Sequence, residues 1–88
     1  MVVKIDRRFE KDVDKVNNRK LLVDLANRIE ALEKSANILE IKDLKKLQGG
    51  QNYYRIRLGD YRIGALIKSN AVELIRFLPR KDIYKFFP

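Results

Sequence analysis

A two-residue turn between two alternating segments limits the fold of this chain more than any other feature of its sequence. The pair Gly59-Asp60 separates the segment 53–58 from the segment 61–68. On both sides of this pair, apolar side chains alternate with arginine or glycine. Glycine at the first central position favours a type II′ turn, which joins two antiparallel strands. The sequence therefore predicts a β-hairpin here.

Next to the turn, one face of this hairpin carries only cations and a glycine. Side chains alternate across a strand, so Arg55, Arg57, Arg62 and Gly64 share a side that we call the arginine face. A two-residue loop places Arg57 opposite Arg62 and Arg55 opposite Gly64. Like charges in such positions cost about 0.2 to 1 kcal/mol, so a bound anion would stabilise the arrangement. Water-facing arginines also serve solubility, but three of them beside a glycine predict a phosphate site.

The composition fits a single domain, residues 1–88, with a hydrophobic content of 45%. The sequence contains neither Cys nor His, which removes disulfides, thiolate ligands and the commonest zinc ligand, so we expect no metal and no cofactor. A reducing cytoplasm is the expected location, and no segment has the length of a signal peptide or a membrane span. The net charge of +8 suits nucleic acid, an anionic membrane surface or an acidic protein partner.

Hydrophobic spacing predicts two helices in the first half of the chain. Residues 2–5 form a candidate strand, and Asp6 is a candidate N-cap for a first helix that ends at Asn17-Asn18. A second helix with one apolar stripe is predicted over 19–34. The following segment to residue 51 is predicted to be a partly ordered connection that Gly49-Gly50 interrupts.

The second half is predicted to be mainly strand. The hairpin strands are followed by a third strand over 71–78, and Pro79 ends the sheet before a short tail or helix. This order, β-α-α-β-β-β, predicts an α+β domain in which a two-helix hairpin packs on one face of an antiparallel sheet. The arginine face then points away from the helices.

The register of the last strand decides which of its side chains lie on the arginine face. Pairing of Ile67 with Val72 places Ile75 and Phe77 on the arginine face, beside Gly64 and Arg62. A slip of one residue would exchange the two faces.

Three segments carry a resemblance to a known family: L-K-K-L-Q-G-G before the hairpin, Y-R-I-R-L and G-D-Y-R-I within it, and L-I-R-F-L-P-R-K-D-I-Y at the end. The chain resembles the RelE/ParE superfamily of bacterial and archaeal toxins from toxin-antitoxin modules over nearly its whole length. RelE-type members are ribosome-dependent endoribonucleases that cut messenger RNA, with the 2′-hydroxyl as the nucleophile and no metal. The resemblance therefore implies a RelE-like type II toxin that inhibits translation.

The resemblance also assigns roles to particular residues. It implies two strand cations at Arg55 and Arg57, a transition-state arginine at Arg62, a tail arginine at Arg80 and a terminal tyrosine at Tyr84. Arginine stays protonated and is a poor base, so proton transfer falls on Lys81 or Tyr84. The implied catalytic set is Arg62, Arg80, Lys81 and Tyr84.

Other residues near the hairpin have weaker signals. Tyr53 shares the arginine face, and Lys45 and Lys46 precede it, so all three are candidate RNA or phosphate contacts alongside Arg55 and Arg57. Tyr84 also has a structural alternative, in which its ring packs the tail onto Phe77.

Departures from the family pattern leave other functions open. Many relatives place His before the tail arginine, where this chain has Pro79, and some carry lysines in place of Arg55 and Arg57. The alternative is a ParE-like inhibitor of DNA gyrase without nuclease activity, and a third possibility is a degenerate toxin that acts only in an antitoxin-repressor complex. All three imply an acidic cognate antitoxin, and the nuclease also implies the ribosome and messenger RNA.

Overall fold

The computed structural model describes residues 1–49 and 51–88. Its helices and strands follow the predicted order, with a further 3₁₀ helix and a further strand before the hairpin. The predicted short tail or helix at the end is a helix. The elements are β1 (Val2–Ile5), α1 (Arg7–Asp14), α2 (Arg19–Lys34), a 3₁₀ helix (Ile38–Glu40), β2 (Leu44–Lys46), β3 (Tyr53–Leu58), β4 (Tyr61–Lys68), β5 (Ala71–Pro79) and α3 (Arg80–Phe86).

Helices α1 and α2 begin at side-chain caps. The Asp6 carboxylate accepts a hydrogen bond from the backbone N–H of Arg8 at the start of α1. The Asn18 side chain accepts one from the backbone N–H of Leu21 at the start of α2. The predicted cap at Asp6 and the predicted bounds of α2 are confirmed. Helix α1 ends at Asp14, before the predicted end at Asn17-Asn18.

The strands form one sheet of order β1-β5-β4-β3-β2. Strands β2 to β5 pair antiparallel, whereas β1 runs parallel to β5, with Val2 beside Ala71 and Ile5 beside Leu74. The α+β class is confirmed, but the sheet is mixed and not antiparallel throughout. The two helices carry the chain from one edge strand to the other, so the direction of β1 is set by that crossing and not by its own composition.

Strand β2 lies where the sequence predicted only a partly ordered connection. It is three residues long and pairs with β3, so that Lys45 lies opposite Arg55 and Lys46 opposite Tyr54. Such a short polar segment shows no alternation from which a strand can be predicted. Gly49 has a left-handed φ of 67°, and Gly50, the other residue of the predicted break, lies outside the described residues.

A β-bulge changes the face on which Phe77 lies. Ile67 pairs with Val72 as predicted, but the register shifts between Ala65 and Gly64, so Ile63 pairs with Phe77. Ile75 stays on the arginine face, whereas Phe77 turns into the core, and its predicted place on the arginine face is wrong. One extra residue in β5 reverses the alternation of side chains beyond it. The aromatic side chain of Phe77 is thereby placed in the main core.

The main core lies between the helices and the sheet. The exposed fraction of Phe77 is 1%, that of Leu32 is 1% and those of Ile56 and Ile63 are 0%. Full burial of such side chains contributes about 1.5 to 3 kcal/mol each, which holds α2 against the sheet. Tyr54 packs against this core from β3, so Arg55 beside it points to the opposite side.

A second, smaller apolar cluster lies on the arginine face beneath α3. Ile75, Ile83 and Phe87 are buried in it, and partly buried side chains from β3, β4, β5 and the loop before β3 surround them. Helix α3 is therefore packed onto the arginine face, and it brings the tail residues to the hairpin. Among the described residues, no helix combines the length and apolar character that a membrane crossing requires.

Candidate active site on the arginine face

The hairpin has the predicted register. Leu58 pairs with Tyr61, Arg57 with Arg62 and Arg55 with Gly64. Gly59 has a φ of 58°, whereas Asp60 is not among the residues with positive φ, which is the pattern of a type II′ turn. The turn therefore places the three arginines of the hairpin on adjacent rungs of one face.

These arginines line a cavity of about 300 Å³ at the open end of the arginine face. Strand β2 contributes Lys45, which lies opposite Arg55, and α3 contributes Tyr84. The full lining is Asp43, Lys45, Arg55, Arg57, Arg62 and Tyr84. Four cations and one carboxylate give the cavity an excess of positive charge.

The guanidinium of Arg62 is held by the turn itself. Its Nη1 donates hydrogen bonds to the carbonyl oxygens of Gly59 and Tyr61, both at 2.9 Å. A guanidinium has five N–H donors, so Arg62 keeps others for a ligand. In the part of the chain that the structure describes, the ion pairs join other residues, and Arg55, Arg57, Arg62 and Arg80 form none.

Tyr84 extends from α3 over the hairpin. The Arg55 guanidinium carbon lies 4.5 Å from the centre of the Tyr84 ring, which is a cation–π contact, and 54% of Tyr84 is exposed. The alternative in which Tyr84 packs onto Phe77 is wrong, because Phe77 lies on the other side of the sheet against Phe9 and Tyr61.

Cations from three elements act on the Tyr84 hydroxyl. Arg80, one helical turn earlier on α3, lies within hydrogen-bonding reach of it and lowers the pKa of Tyr84 below its ordinary value. The charges of Arg55 and Arg62 lower this pKa further. The same contact raises the pKa of Arg80. The phenolate form of Tyr84 is therefore more accessible than in an isolated tyrosine.

Other candidate residues lie apart from the cavity. Lys81 is exposed on α3 and is not part of the lining, and Lys46 lies on the other side of β2 from Lys45. Tyr53 is on the arginine face as predicted, but its ring packs edge-on against Phe87, with the ring centres 5.6 Å apart. The structure thus brings together Arg55, Arg57, Arg62, Arg80, Tyr84 and Lys45.

Two residues at the cavity have no signal in the sequence. Asp43 has a left-handed φ of 60°, and its carbonyl oxygen accepts a hydrogen bond from the backbone N–H of Arg57. Arg28 of α2 reaches this loop and pairs with the Asp43 carboxylate at 3.3 Å. It also donates to the carbonyl oxygens of Lys42 and Arg57. Arg28 therefore ties the second helix to the rim of the cavity.

The arrangement suits a phosphodiester under attack. Guanidinium groups donate paired hydrogen bonds to phosphate oxygens, and fixed donors stabilise charge that develops during the reaction. A tyrosine with a lowered pKa at the same cavity can accept a proton. Phosphate binding and proton transfer are thus both available within one site.

A family model matches most of the chain. The model described as "ParE toxin of type II toxin-antitoxin system, parDE" matches residues 3–84. The chain belongs to the RelE/ParE family of type II toxins. Its sequence is 44% identical to Toxin RelE3 of Methanocaldococcus jannaschii over 61 residues, which are 68% of this chain and 69% of that protein.

Solved structures of RelE toxins share the whole fold. The chain superposes on a chain of the RelB-RelE antitoxin-toxin complex from Methanococcus jannaschii with a TM-score of 0.78 and 35% identity, over 97% of this chain and 99% of that one. It superposes on a chain of the archaeal RelE-RelB complex from Pyrococcus horikoshii with a TM-score of 0.72 and 25% identity, over 90% and 93%. The predicted resemblance to RelE-like toxins is confirmed.

Proposed function

We propose that this RelE/ParE toxin is a ribosome-dependent endoribonuclease that cleaves messenger RNA by attack of a 2′-hydroxyl, without a metal ion. The observation that carries the proposal is the single cavity in which Arg55, Arg57, Arg62 and Tyr84 converge. A protein that acted only as a ligand of another protein would not require a tyrosine with a lowered pKa beside three arginines. Translation inhibition follows from loss of the message.

The proposed reaction has one bond-forming and one bond-breaking event. The 2′-oxygen attacks the adjacent phosphorus, the O2′–P bond forms and the P–O5′ bond breaks. The products are a 2′,3′-cyclic phosphate on the upstream fragment and a 5′-hydroxyl on the downstream fragment. The Tyr84 phenolate accepts the proton of the 2′-hydroxyl, and the departing O5′ takes up a proton.

The arginines stabilise the transition state. Extra negative charge appears on the non-bridging phosphate oxygens when phosphorus carries five oxygens. Arg62 is already fixed by two carbonyl oxygens, so little reorganisation is needed when the charge develops. Arg55 and Arg57 bind the same backbone from β3, and Arg80 stabilises the phenolate of Tyr84.

The candidate lysines differ in their place relative to the cavity. Lys45 lines the cavity and contacts the RNA backbone. Lys81 follows Arg80 on α3 but lies outside the lining, so its part in proton transfer stays a prediction. Lys46, on the other side of β2, has no part in the cleft. The ring of Tyr53 contributes to the packing beneath α3, and its RNA contact stays a prediction.

A cognate antitoxin is the second proposed partner. The structures of the two archaeal relatives are complexes of RelE with RelB, which supports an antitoxin for this chain as well. The net charge of +8 favours an acidic partner, because complementary charge speeds association. Carboxylates of that partner beside Arg57 and Arg62 would occupy the place of RNA phosphate.

Cleavage of a defined message on programmed ribosomes tests the proposal. Primer extension is expected to show cuts with the native chain and a reduction of about 10²- to 10³-fold with Arg62→Ala, which removes one fixed donor of the transition state. Arg8→Ala is the matched control, because Arg8 is exposed and paired with Asp6 at the start of α1. An uncut message at saturating protein contradicts the proposal.

The same preparation separates the alternatives. A gyrase inhibitor blocks supercoiling of plasmid DNA while it leaves the message intact. A degenerate toxin does neither and permits normal growth when it is expressed alone. The nuclease cuts the message and leaves supercoiling unchanged.

A further inference from the structure

Gly64 on β4 lies directly beneath an aromatic ring. A Cβ atom added at Gly64 would lie 2.6 Å from Cγ and 2.7 Å and 2.8 Å from the two Cδ atoms of Phe87. Real Cβ atoms do not approach other atoms so closely. The ring of Phe87 therefore occupies the space that any other residue at position 64 would fill.

The backbone at Gly64 does not itself require glycine. Gly49 and Gly59 have positive φ values, but Gly64 does not. An L-amino acid can adopt the conformation at position 64, so the missing side chain serves the contact with Phe87 and not the strand. This contact explains a glycine in the middle of β4.

Phe87 fixes the end of α3 from several directions. Its exposed fraction is 7%, its ring meets the Tyr53 ring edge-on, and its backbone N–H donates to the carbonyl oxygen of Ile83 at 3.0 Å. Ile83 has an exposed fraction of 0%. Two buried side chains thus flank Tyr84 along the chain, one immediately before it and one three residues after it.

Tyr84 itself has little packing of its own. Its exposed fraction is 54%, and the Arg55 guanidinium covers one side of its ring. The place of Tyr84 over the cavity is therefore set by the anchors on either side of it. A helix of this length is not stable without tertiary packing, so loss of one anchor releases the tyrosine.

We propose that Phe87 is a positioning residue, whose ring on Gly64 and against Tyr53 holds α3 so that Tyr84 stacks on Arg55 at the cavity. The effect of this contact on cleavage rests on the proposed function. The contact itself does not, because the stacking of Tyr84 on Arg55 can be measured in the absence of RNA.

A double-mutant cycle tests the contact. The variants are Gly64→Ala, Phe87→Ala and the combination of the two, with Phe86→Ala as the matched control because Phe86 is exposed. Nuclear magnetic resonance of the free protein follows the Arg55 side chain, whose signals are shifted by the ring of Tyr84. Single-turnover cleavage at saturating ribosomes gives the rate, and circular dichroism shows whether each variant is folded.

Both single substitutions are expected to abolish the change in chemical shift that the Tyr84 ring causes in the Arg55 side chain, which we call the ring shift. They are also expected to lower the cleavage rate about 100-fold, because displacement of a reacting group by about 1 Å reduces a rate by this factor. The half-saturating ribosome concentration is expected to change less than about threefold. In the Phe87→Ala background, Gly64→Ala is expected to have almost no further effect, because the ring with which its methyl group clashes is gone. Phe86→Ala is expected to keep both the ring shift and the rate.

Several results overturn the proposal. An unchanged Arg55 signal in either folded single variant means that the ring does not position Tyr84. A Gly64→Ala effect that persists in the Phe87→Ala background means that the added methyl group acts on Arg55 or the strand directly. If Gly64→Ala does not fold, Phe87→Ala and Phe87→Leu decide by the same signal. If the native chain cuts no message, the proposed nuclease function fails. The positioning role of Phe87 is then decided by the chemical shifts of the Arg55 side chain alone.

Discussion

Tyr84 combines exposure with a strongly cationic setting. Arg80 precedes it by one turn on α3, Arg55 lies against its ring, and Arg62 faces it from β4. All three lower the pKa of Tyr84, and Arg80 has the largest effect. Desolvation, the second-largest effect, acts in the opposite direction. The sequence contains no histidine, and Tyr84 is the proton acceptor that we propose for this site.

Removal of the Tyr84 hydroxyl tests this assignment. Tyr84→Phe keeps a ring for Arg55 but cannot accept a proton. We expect the single-turnover cleavage rate to fall about 10²- to 10⁴-fold, which is the usual contribution of general acid-base catalysis. A Tyr84→Phe protein with the native rate would assign the proton transfer to another group.

The pH dependence of cleavage distinguishes a base from a packing residue. The phenolate is the active form, so the rate rises with pH and levels off above the pKa of Tyr84. Arg80 is the largest cause of the lowered pKa, so Arg80→Gln is expected to raise it and to move the pH-rate profile to higher pH. Profiles of native and Arg80→Gln protein with the same midpoint would contradict the assignment.

Sequence alternation predicts some site residues and not others. The positions of Arg55, Arg57 and Arg62 follow from strand alternation and a two-residue turn, which are both local. Asp43 and Arg28 meet only because α2 packs over the loop before β2. No spacing along the chain encodes such a contact, so the sequence does not reveal it.

At the scale of elements, one carboxylate joins the first helix to the last strand. Asp12 of α1 accepts hydrogen bonds from Nε of Arg76 at 2.7 Å and Nη2 at 3.1 Å, and from the backbone N–H of Phe77 at 2.9 Å. These residues follow the bulge in β5. Asp12 therefore stabilises the register that turns Phe77 into the core.

Loss of this carboxylate is expected to destabilise the fold. Asp12→Ala leaves a half-buried guanidinium and a buried backbone N–H without their partner, so we expect the free energy of unfolding to fall by about 3 kcal/mol. Urea denaturation followed by circular dichroism measures it. Asp14→Ala, at an exposed position of the same helix, is expected to change stability by less than about 0.5 kcal/mol. Equal stabilities of the two variants would contradict this role.

The elements themselves were predictable to different degrees. The apolar stripe of α2 and the alternation of β3 and β4 extend far enough to define their periods. The alternation of apolar and polar residues predicted neither the bulge nor strand β2. The bulge depends on the packing of Phe77 in the core, and β2 is only three residues long. The wrong face predicted for Phe77 follows directly from the missed bulge.

At the scale of the whole molecule, charge and shape act together. The chain has a net charge of +8, and the cavity that gathers several of its cations lies at one end of the arginine face. Such a field attracts a polyanion and orients it towards the cavity. The α+β class follows from the order of elements, whereas the parallel pairing of β1 depends on how the helices cross the sheet.

Salt is expected to weaken binding to programmed ribosomes because bound RNA releases counterions. Lys45 and Lys46 are neighbours on β2 but lie on opposite sides of the sheet, which makes them a matched pair. Lys45→Ala is expected to reduce the slope of log affinity against log salt by about one, and Lys46→Ala to leave it unchanged. Equal slopes in both variants would place the RNA elsewhere.

The most direct test of the account replaces one 2′-hydroxyl in the message. A message with a single 2′-deoxy nucleotide immediately upstream of the mapped cut is bound to ribosomes and treated with the native chain. We expect no cleavage at that position, and a 5′-hydroxyl on the downstream fragment of the all-ribose control. Cleavage of the deoxy message at the control rate would contradict attack by the 2′-oxygen and with it the proposed use of the arginine face.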